Sequence, residues 1–227
     1  MSNLETLAIT LEGSNDYRVL RRFRSEDVFG ELKDGCIKSL CIIDFETTGL
    51  EDTDKPIEIG ILRVEYDAKS GRLGRVLERY SGFNDPGEPL PENIVALTGI
   101  TDDQVRGQKF DRKRVKEIAT SSSLIIAHNA EFDRRFGEKH FPFLADLTWA
   151  CSLHDVPWNA AGGIGSGKLE FIALKLGWFY DAHRAIADCE VTAGVLGREL
   201  NDGQTGLWHL LQTARRPRYR VWALDAS

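Results

Sequence analysis

The apolar run Cys41-Ile42-Ile43 passes without a turn residue into Asp44-Phe45-Glu46. Residues 39–45 read as a buried strand, and a chain that ends such a strand in two acids has few ways to fold around them. Neighbours two apart on a strand share a face, so Asp44 and Glu46 point to one side and Phe45 to the other. Both carboxylates then emerge at the carboxyl end of the strand, where open α/β sheets place their sites. Acid-x-acid triplets also occur at 52–54, 65–67 and 131–133, so the triplet alone identifies nothing.

The surrounding pattern is strands first, then strands interleaved with helices. Residues 57–66 and 74–83 read as two further strands, and the short turn-rich gaps, "AKSGRLG" above all, predict antiparallel neighbours. Helices are predicted over 93–100, cut off by Gly99, and over 110–122. A short strand at 124–128 leads to Asn129, the expected N-cap of a helix running from Ala130 to about Lys139. A glycine-rich loop (162–167), a helix over 168–177 and a longer helix from about Ala185 to Leu200 follow. The fold class is α/β, a small mixed sheet with helices on its faces. Residues 1–38 form an N-terminal extension, with helix-like apolar spacing over 16–32 and no chemistry; 39–200 form the main domain. A C-terminal extension, 201–227, carries tryptophans and arginines that leave room for an interaction role or for packing on the domain.

Composition narrows the partners. No apolar stretch approaches the ~18 residues that a membrane span needs, so no membrane contact is expected. "MSNLETLAIT" lacks the basic and apolar regions of a secretory signal, which makes a cytoplasmic location the expectation. The four cysteines form no CxxC pair, which argues against a zinc knuckle and, in a cytosolic chain, against disulfides. With a net charge of -6 the molecule as a whole does not attract a polyanion, so any nucleic-acid contact must be local. The basic clusters at 21–24, 112–116 and 215–220 read as solvated faces. Gly162, Gly167 and Lys168 nearly spell a phosphate-binding loop, but Leu169 stands where a Ser or Thr would hold Mg²⁺, and no convincing strand precedes them.

More acids stand where apolar residues belong. Asp188 lies at helical spacing with Ala185, Val191, Thr192 and Val195, the stripe that should face the core. A carboxylate buried there must be protonated, paired with a cation or bound to a metal. Asp133 repeats the anomaly at the start of its helix, three residues from Ala130 and from Phe136, with a salt bridge to Arg134 or Arg135 as the structural alternative. Four crowded carboxylates repel one another unless cations neutralise them, and an all-oxygen donor set selects a hard ion such as Mg²⁺ or Mn²⁺. Two divalent ions would balance the four charges and suit phosphoryl chemistry. His183, five residues before Asp188, is rotated from it by about 140° on a continuous helix, so it must precede the helix. Histidine is the residue type suited to general-base work at neutral pH.

In that order, Asp44, Glu46, Asp133, His183 and Asp188 make the chain resemble the DEDDh class of 3'-to-5' exonucleases, the DnaQ-like group that contains the proofreading subunit of bacterial replicative DNA polymerase. The motifs "DFETTGL", "AHNAEFDRRF" and "HRAIADCEVT" carry the resemblance, which covers roughly residues 38–200. It implies a ribonuclease H-like fold with a five-stranded mixed sheet flanked by helices. It also implies two Mg²⁺ ions, with Mn²⁺ able to substitute: Asp44 would bridge them, Glu46 and Asp188 would hold the ion that activates water, Asp133 would help hold the second, and His183 would be the base. The resemblance further places Thr47, Thr48, Gly49, Leu97, Thr98 and Asn129 near the terminal nucleotide of the substrate. The expected substrate is a single-stranded 3' end, DNA ahead of RNA, and the expected product a nucleoside 5'-monophosphate. Arg134, Arg135 and Arg184 are local candidates for phosphate contact. A role as a DNA polymerase subunit, an exoribonuclease and a non-catalytic polymerase-associated module remain open alternatives.

Overall fold

The computed structural model describes residues 3–32 and 35–214. In chain order the elements are α1 (Asn3–Glu12), β1 (Arg21–Arg22), β2 (Ile37–Thr47), β3 (Pro56–Asp67), β4 (Leu73–Phe83), α2 (Glu92–Thr98), α3 (Asp102–Val105) and α4 (Arg112–Thr120). There follow β5 (Leu124–Ala127), α5 (Ala130–His140), a 3-10 turn (Pro142–Asp146), β6 (Trp149–Cys151), α6 (Leu169–Lys175), β7 (Trp178–Phe179), α7 (Ala185–Leu196) and α8 (Gly206–Ala214).

Five strands form one mixed sheet in the order β4-β3-β2-β5-β6. β2, β3 and β4 pair antiparallel, as the short gaps between them require, whereas β5 and β6 are reached through helices and run parallel to β2. The alternation along β2 sorts the core into two layers. Leu40 and Ile42 join Leu62 and Val64 of β3 under α7, while Cys41, Ile43 and Phe45 face Val115, Ile118 and Ala119 of α4 together with Phe141 and Leu144. Asp44 and Glu46 continue the Leu40–Ile42 row, which aims them at the α7 side of the sheet.

The start of α7 seats on β3 because Gly60 has no side chain. A Cβ there would stand 2.3 Å from the Ala185 carbonyl carbon and 2.4 Å from the Ile186 nitrogen. Two residues earlier on the same face, Glu58 is fully buried and accepts hydrogen bonds from the Arg184 guanidinium (3.0 and 3.2 Å) and from the Ala185 N–H (3.0 Å). "EIG" at 58–60 therefore fixes where the last long helix begins.

Several sequence expectations need correction. Residues 16–32 form no helix; the N-terminal helix is α1, and the following chain pairs in parallel with β7 through β1. Phe23 and Phe29 pack against the core from this segment. Asn129 is the N-cap of α5 as expected, in a left-handed conformation (φ 70°) and without a side-chain capping bond. α7 ends at Leu196, not Leu200, because Gly197 closes it and the chain turns back. β6, with three residues, is too short to carry a period, and no strand was expected there. Beyond α7, Leu207, Leu210 and Leu211 of α8 complete the core, so the described part of the C-terminal extension packs on the domain. The basic cluster at 215–220 lies outside the described residues.

Candidate active site

Asp44 and Glu46 meet Asp188 where the carboxyl end of β2 passes the first turn of α7. One carboxylate oxygen from each of the three lies within 4.8 Å of the others. Burial and the charges of Asp133, Asp188 and Glu46 hold the Asp44 carboxyl well above the ordinary carboxylate range. Burial, followed by the charges of Asp188 and Glu58, pushes Glu46 up to about 8. Burial raises Asp188 to about 6 against the hydrogen bond from Tyr180 and the nearby His183, which favour its charged form. All the donors are oxygens, they converge on one point, and burial makes each harder to ionise, with neighbouring carboxylates adding to this for Asp44 and Glu46. That is the donor set of a hard divalent cation, which would restore the charged form of all three.

Asp133 is buried one step outside this trio. Its Oδ1 accepts the Phe45 N–H at 3.0 Å, which lays the carboxylate along the backbone between Asp44 and Glu46. Burial again holds it above its ordinary range. His183 precedes α7, as its spacing from Asp188 required, in a left-handed conformation (φ 61°) that turns the chain sharply into the helix. Its imidazole is 43% exposed, with Nε2 at 3.7 Å from Glu170 Oε1.

The other residues named from the sequence lie as follows. The Thr47 hydroxyl donates to the Gly49 carbonyl (2.5 Å), and the Thr48 hydroxyl donates to Asp54 (3.0 Å) while accepting the Lys55 N–H. These bonds close the loop after β2, and a Cβ on Gly49 would stand 2.5 Å from the Asp54 carboxylate. Leu97 is 51% exposed on α2; Thr98 is buried and spends its hydroxyl on Ile94 and Ile100. Asn129 is exposed at the mouth of α5.

The arginines are less available than expected. Arg184 is bound to Glu58, Arg134 pairs with Glu138, and Arg135 holds Asp52 (3.1 Å) and the Leu50 carbonyl. Arg21 and Arg22 pair with Glu5, Glu12 and Asp181, and Arg114 with Glu78, in keeping with solvated, self-satisfied clusters. Sequence reasoning missed Glu58 and Tyr180. Glu58 sits within the apolar stretch Ile57–Leu62 of β3 and lies directly opposite Glu46 in the β2–β3 register, where like charges demand a cation. For Tyr180, whose hydroxyl donates to Asp188 Oδ1 at 2.8 Å, no sequence signal distinguished it from a core aromatic.

The family model described as exonuclease, of the RNase T type, matches residues 41–196, and the chain belongs to that family. Among curated relatives, a PolC-type DNA polymerase III of Halalkalibacterium halodurans is 30% identical over 174 residues, 71% of this chain and 11% of that protein. The chain thus spans about a tenth of this relative's length. Among solved structures, a zinc-bound E. coli exonuclease I complex with single-stranded DNA is 18% identical with a TM-score of 0.55, covering 70% of this chain and 40% of that one. A 3'-exonuclease studied for 3'-end recognition of the histone mRNA stem-loop is 20% identical with a TM-score of 0.54, covering 76% of this chain and 85% of that one. These likenesses establish the ribonuclease H-like fold, with its five-stranded mixed sheet.

The raised carboxyls set a pH dependence. Above the ordinary carboxyl range the folded protein keeps protons that the unfolded chain has already lost, so stability falls as pH rises. The loss runs from about pH 4 up through about 8, the value to which Glu46 is pushed. In EDTA the melting temperature should drop by on the order of 5 °C between about pH 5 and 8. Added Mg²⁺ should recover it at the upper pH and do little at the lower, as differential scanning calorimetry can check.

Proposed function

We propose that the protein is a metal-dependent 3'-to-5' exonuclease that removes nucleoside 5'-monophosphates from single-stranded 3' ends, DNA in preference to RNA. The observation that carries the reading is the convergence of Asp44, Glu46 and Asp188 within 4.8 Å, at the end of a strand, in a chain of the exonuclease family. Asp44, Glu46 and Asp188, with Asp133 beside them, would hold Mg²⁺, with Mn²⁺ as a substitute. Two such ions, when bound, supply Lewis-acid activation of water and charge stabilisation of the leaving oxygen.

The chain's own residues do the rest. His183, partly exposed at the head of α7, takes the proton of the attacking water on its imidazole as oxygen bonds to phosphorus and the bond from phosphorus to the 3' oxygen breaks. Glu58 and Arg184 fix the turn that carries His183 and Asp188, so base and carboxylate reach the scissile bond together. The hydrogen-bonded Thr47–Gly49 loop presents backbone to the terminal nucleotide, and exposed Leu97 offers an apolar surface for its base. DNA is favoured because the curated relative is a DNA polymerase and exonuclease I was solved with single-stranded DNA. A polymerase-associated setting fits the same relative.

Matched DNA and RNA oligonucleotides with free 3' hydroxyls, incubated with Mg²⁺ and resolved by liquid chromatography, test the reading. Nucleoside 5'-monophosphates released faster from DNA are expected. Exclusive consumption of RNA, or 3'-monophosphate products, would overturn it.

A further inference from the structure

We infer that Tyr180 is a positioning residue for the metal centre, holding Asp188 in the orientation that completes the carboxylate trio. The inference rests on the reading of that trio as a divalent-cation site. Asp188 is the only member of the trio delivered by a helix; Asp44 and Glu46 stand on β2, whose backbone is paired with β3 at Gly60 and Glu58. A carboxylate on the first turn of a helix has more than one staggered rotamer open to it, and a contact from outside the helix selects among them. The Tyr180 hydroxyl does so, donating to Oδ1 at 2.8 Å beside the backbone of His183 and Arg184, which also hydrogen-bonds the carboxylate, while an Asp188 oxygen stays within 4.8 Å of oxygens of Asp44 and Glu46.

The tyrosine is itself held. Its ring is half-buried against the core under α7. It follows β7 directly, and β7 is pinned by the N-terminal segment: the Arg21 and Phe23 N–H groups donate to the Gly177 and Phe179 carbonyls at 2.8 Å each. Arg22 grips Asp181 with two contacts of 3.0 Å, and its guanidinium lies over the Phe179 ring. The chain on both sides of Tyr180 is thus clamped to β1. The N-terminal extension, which carries no chemistry in its sequence, is the support of a residue that touches the site.

Hydrogen bonds that orient a ligating group typically alter metal affinity by about 10–100-fold when removed. Tyr180→Phe keeps the ring and its packing and deletes only the donor. Mn²⁺ binding to the 227-residue chain is measured by isothermal titration calorimetry, and the metal-free melting temperature by calorimetry in EDTA. The expected result is a Kd weakened by about tenfold in Tyr180→Phe, with a nuclease rate that recovers as Mn²⁺ is raised. An unchanged Kd, whether or not the metal-free protein melts lower, would overturn the inference, because a purely structural hydroxyl alters stability and not affinity. Tighter Mn²⁺ binding would overturn it too, showing that the hydroxyl competes with the cation. If wild-type protein binds no Mn²⁺, the reading of the trio itself fails, a result distinguishable from equal binding by the two proteins.

Discussion

Asp44→Asn should lower the nucleolytic rate by at least about a thousandfold, the scale on which a central electrostatic element of an active site contributes. Asp44 is the acid most surrounded by others: Asp133, Asp188, Glu46 and Glu58 all act on it. An asparagine of the same shape cannot supply the negative charge that a divalent cation requires. The same substitution should raise the melting temperature of metal-free protein at about pH 8, because it removes a carboxyl that burial and repulsion make costly to ionise. Loss of activity with gain of stability separates a functional carboxylate from a structural one. A structural acid would show both quantities falling together, and calorimetry beside a rate assay distinguishes the two patterns.

Gly60→Ala should be strongly destabilising. The new Cβ would meet the Ala185 carbonyl carbon at 2.3 Å and its oxygen at 2.4 Å. Those are backbone atoms of a helix, with no rotamer to relieve the contact, so α7 must lift from β3. Overpacking of this kind costs about 3 kcal/mol, which for a domain of this size lowers the melting temperature by roughly 6–12 °C. Activity should fall with it, since the displaced end of α7 carries His183 and Asp188 and the Glu58–Arg184 contact. Gly165→Ala is the matched control: its Cβ would enter open space, and neither stability nor rate should change.

These two sites show what kind of information the sequence displays. The direction of Asp44 and Glu46 was readable because a strand has a strict period of two, and the structure continues the Leu40–Ile42 row into them. Asp188 was readable as an acid in an apolar helical stripe, and His183 as too far round the helix to belong to it. Gly60 and Glu58 were read only as parts of a strand, because their meaning lies in a helix that starts 125 positions later for Ala185 against Gly60. The N-terminal segment failed for a related reason. Its apolar spacing over residues 16–32 comes from Phe23 and Phe29 reaching into the core from an irregular chain, not from a helical face. Asn129 is the N-cap that its residue type suggested, but it uses asparagine's tolerance of the left-handed conformation and not a side-chain capping bond.

The proposed function makes the Asp44–Glu46–Asp188 trio a hydrolytic centre acting on 3' ends. The most direct measurement is a time course on a 5'-labelled single-stranded DNA oligonucleotide, run with wild-type and Asp44→Asn protein in Mg²⁺ and with wild-type in EDTA. A ladder of products shortened one nucleotide at a time, present only for wild-type protein in Mg²⁺, is the predicted result. Full-length DNA in every lane, or equal shortening by wild-type and Asp44→Asn, would rule out the trio as the hydrolytic centre.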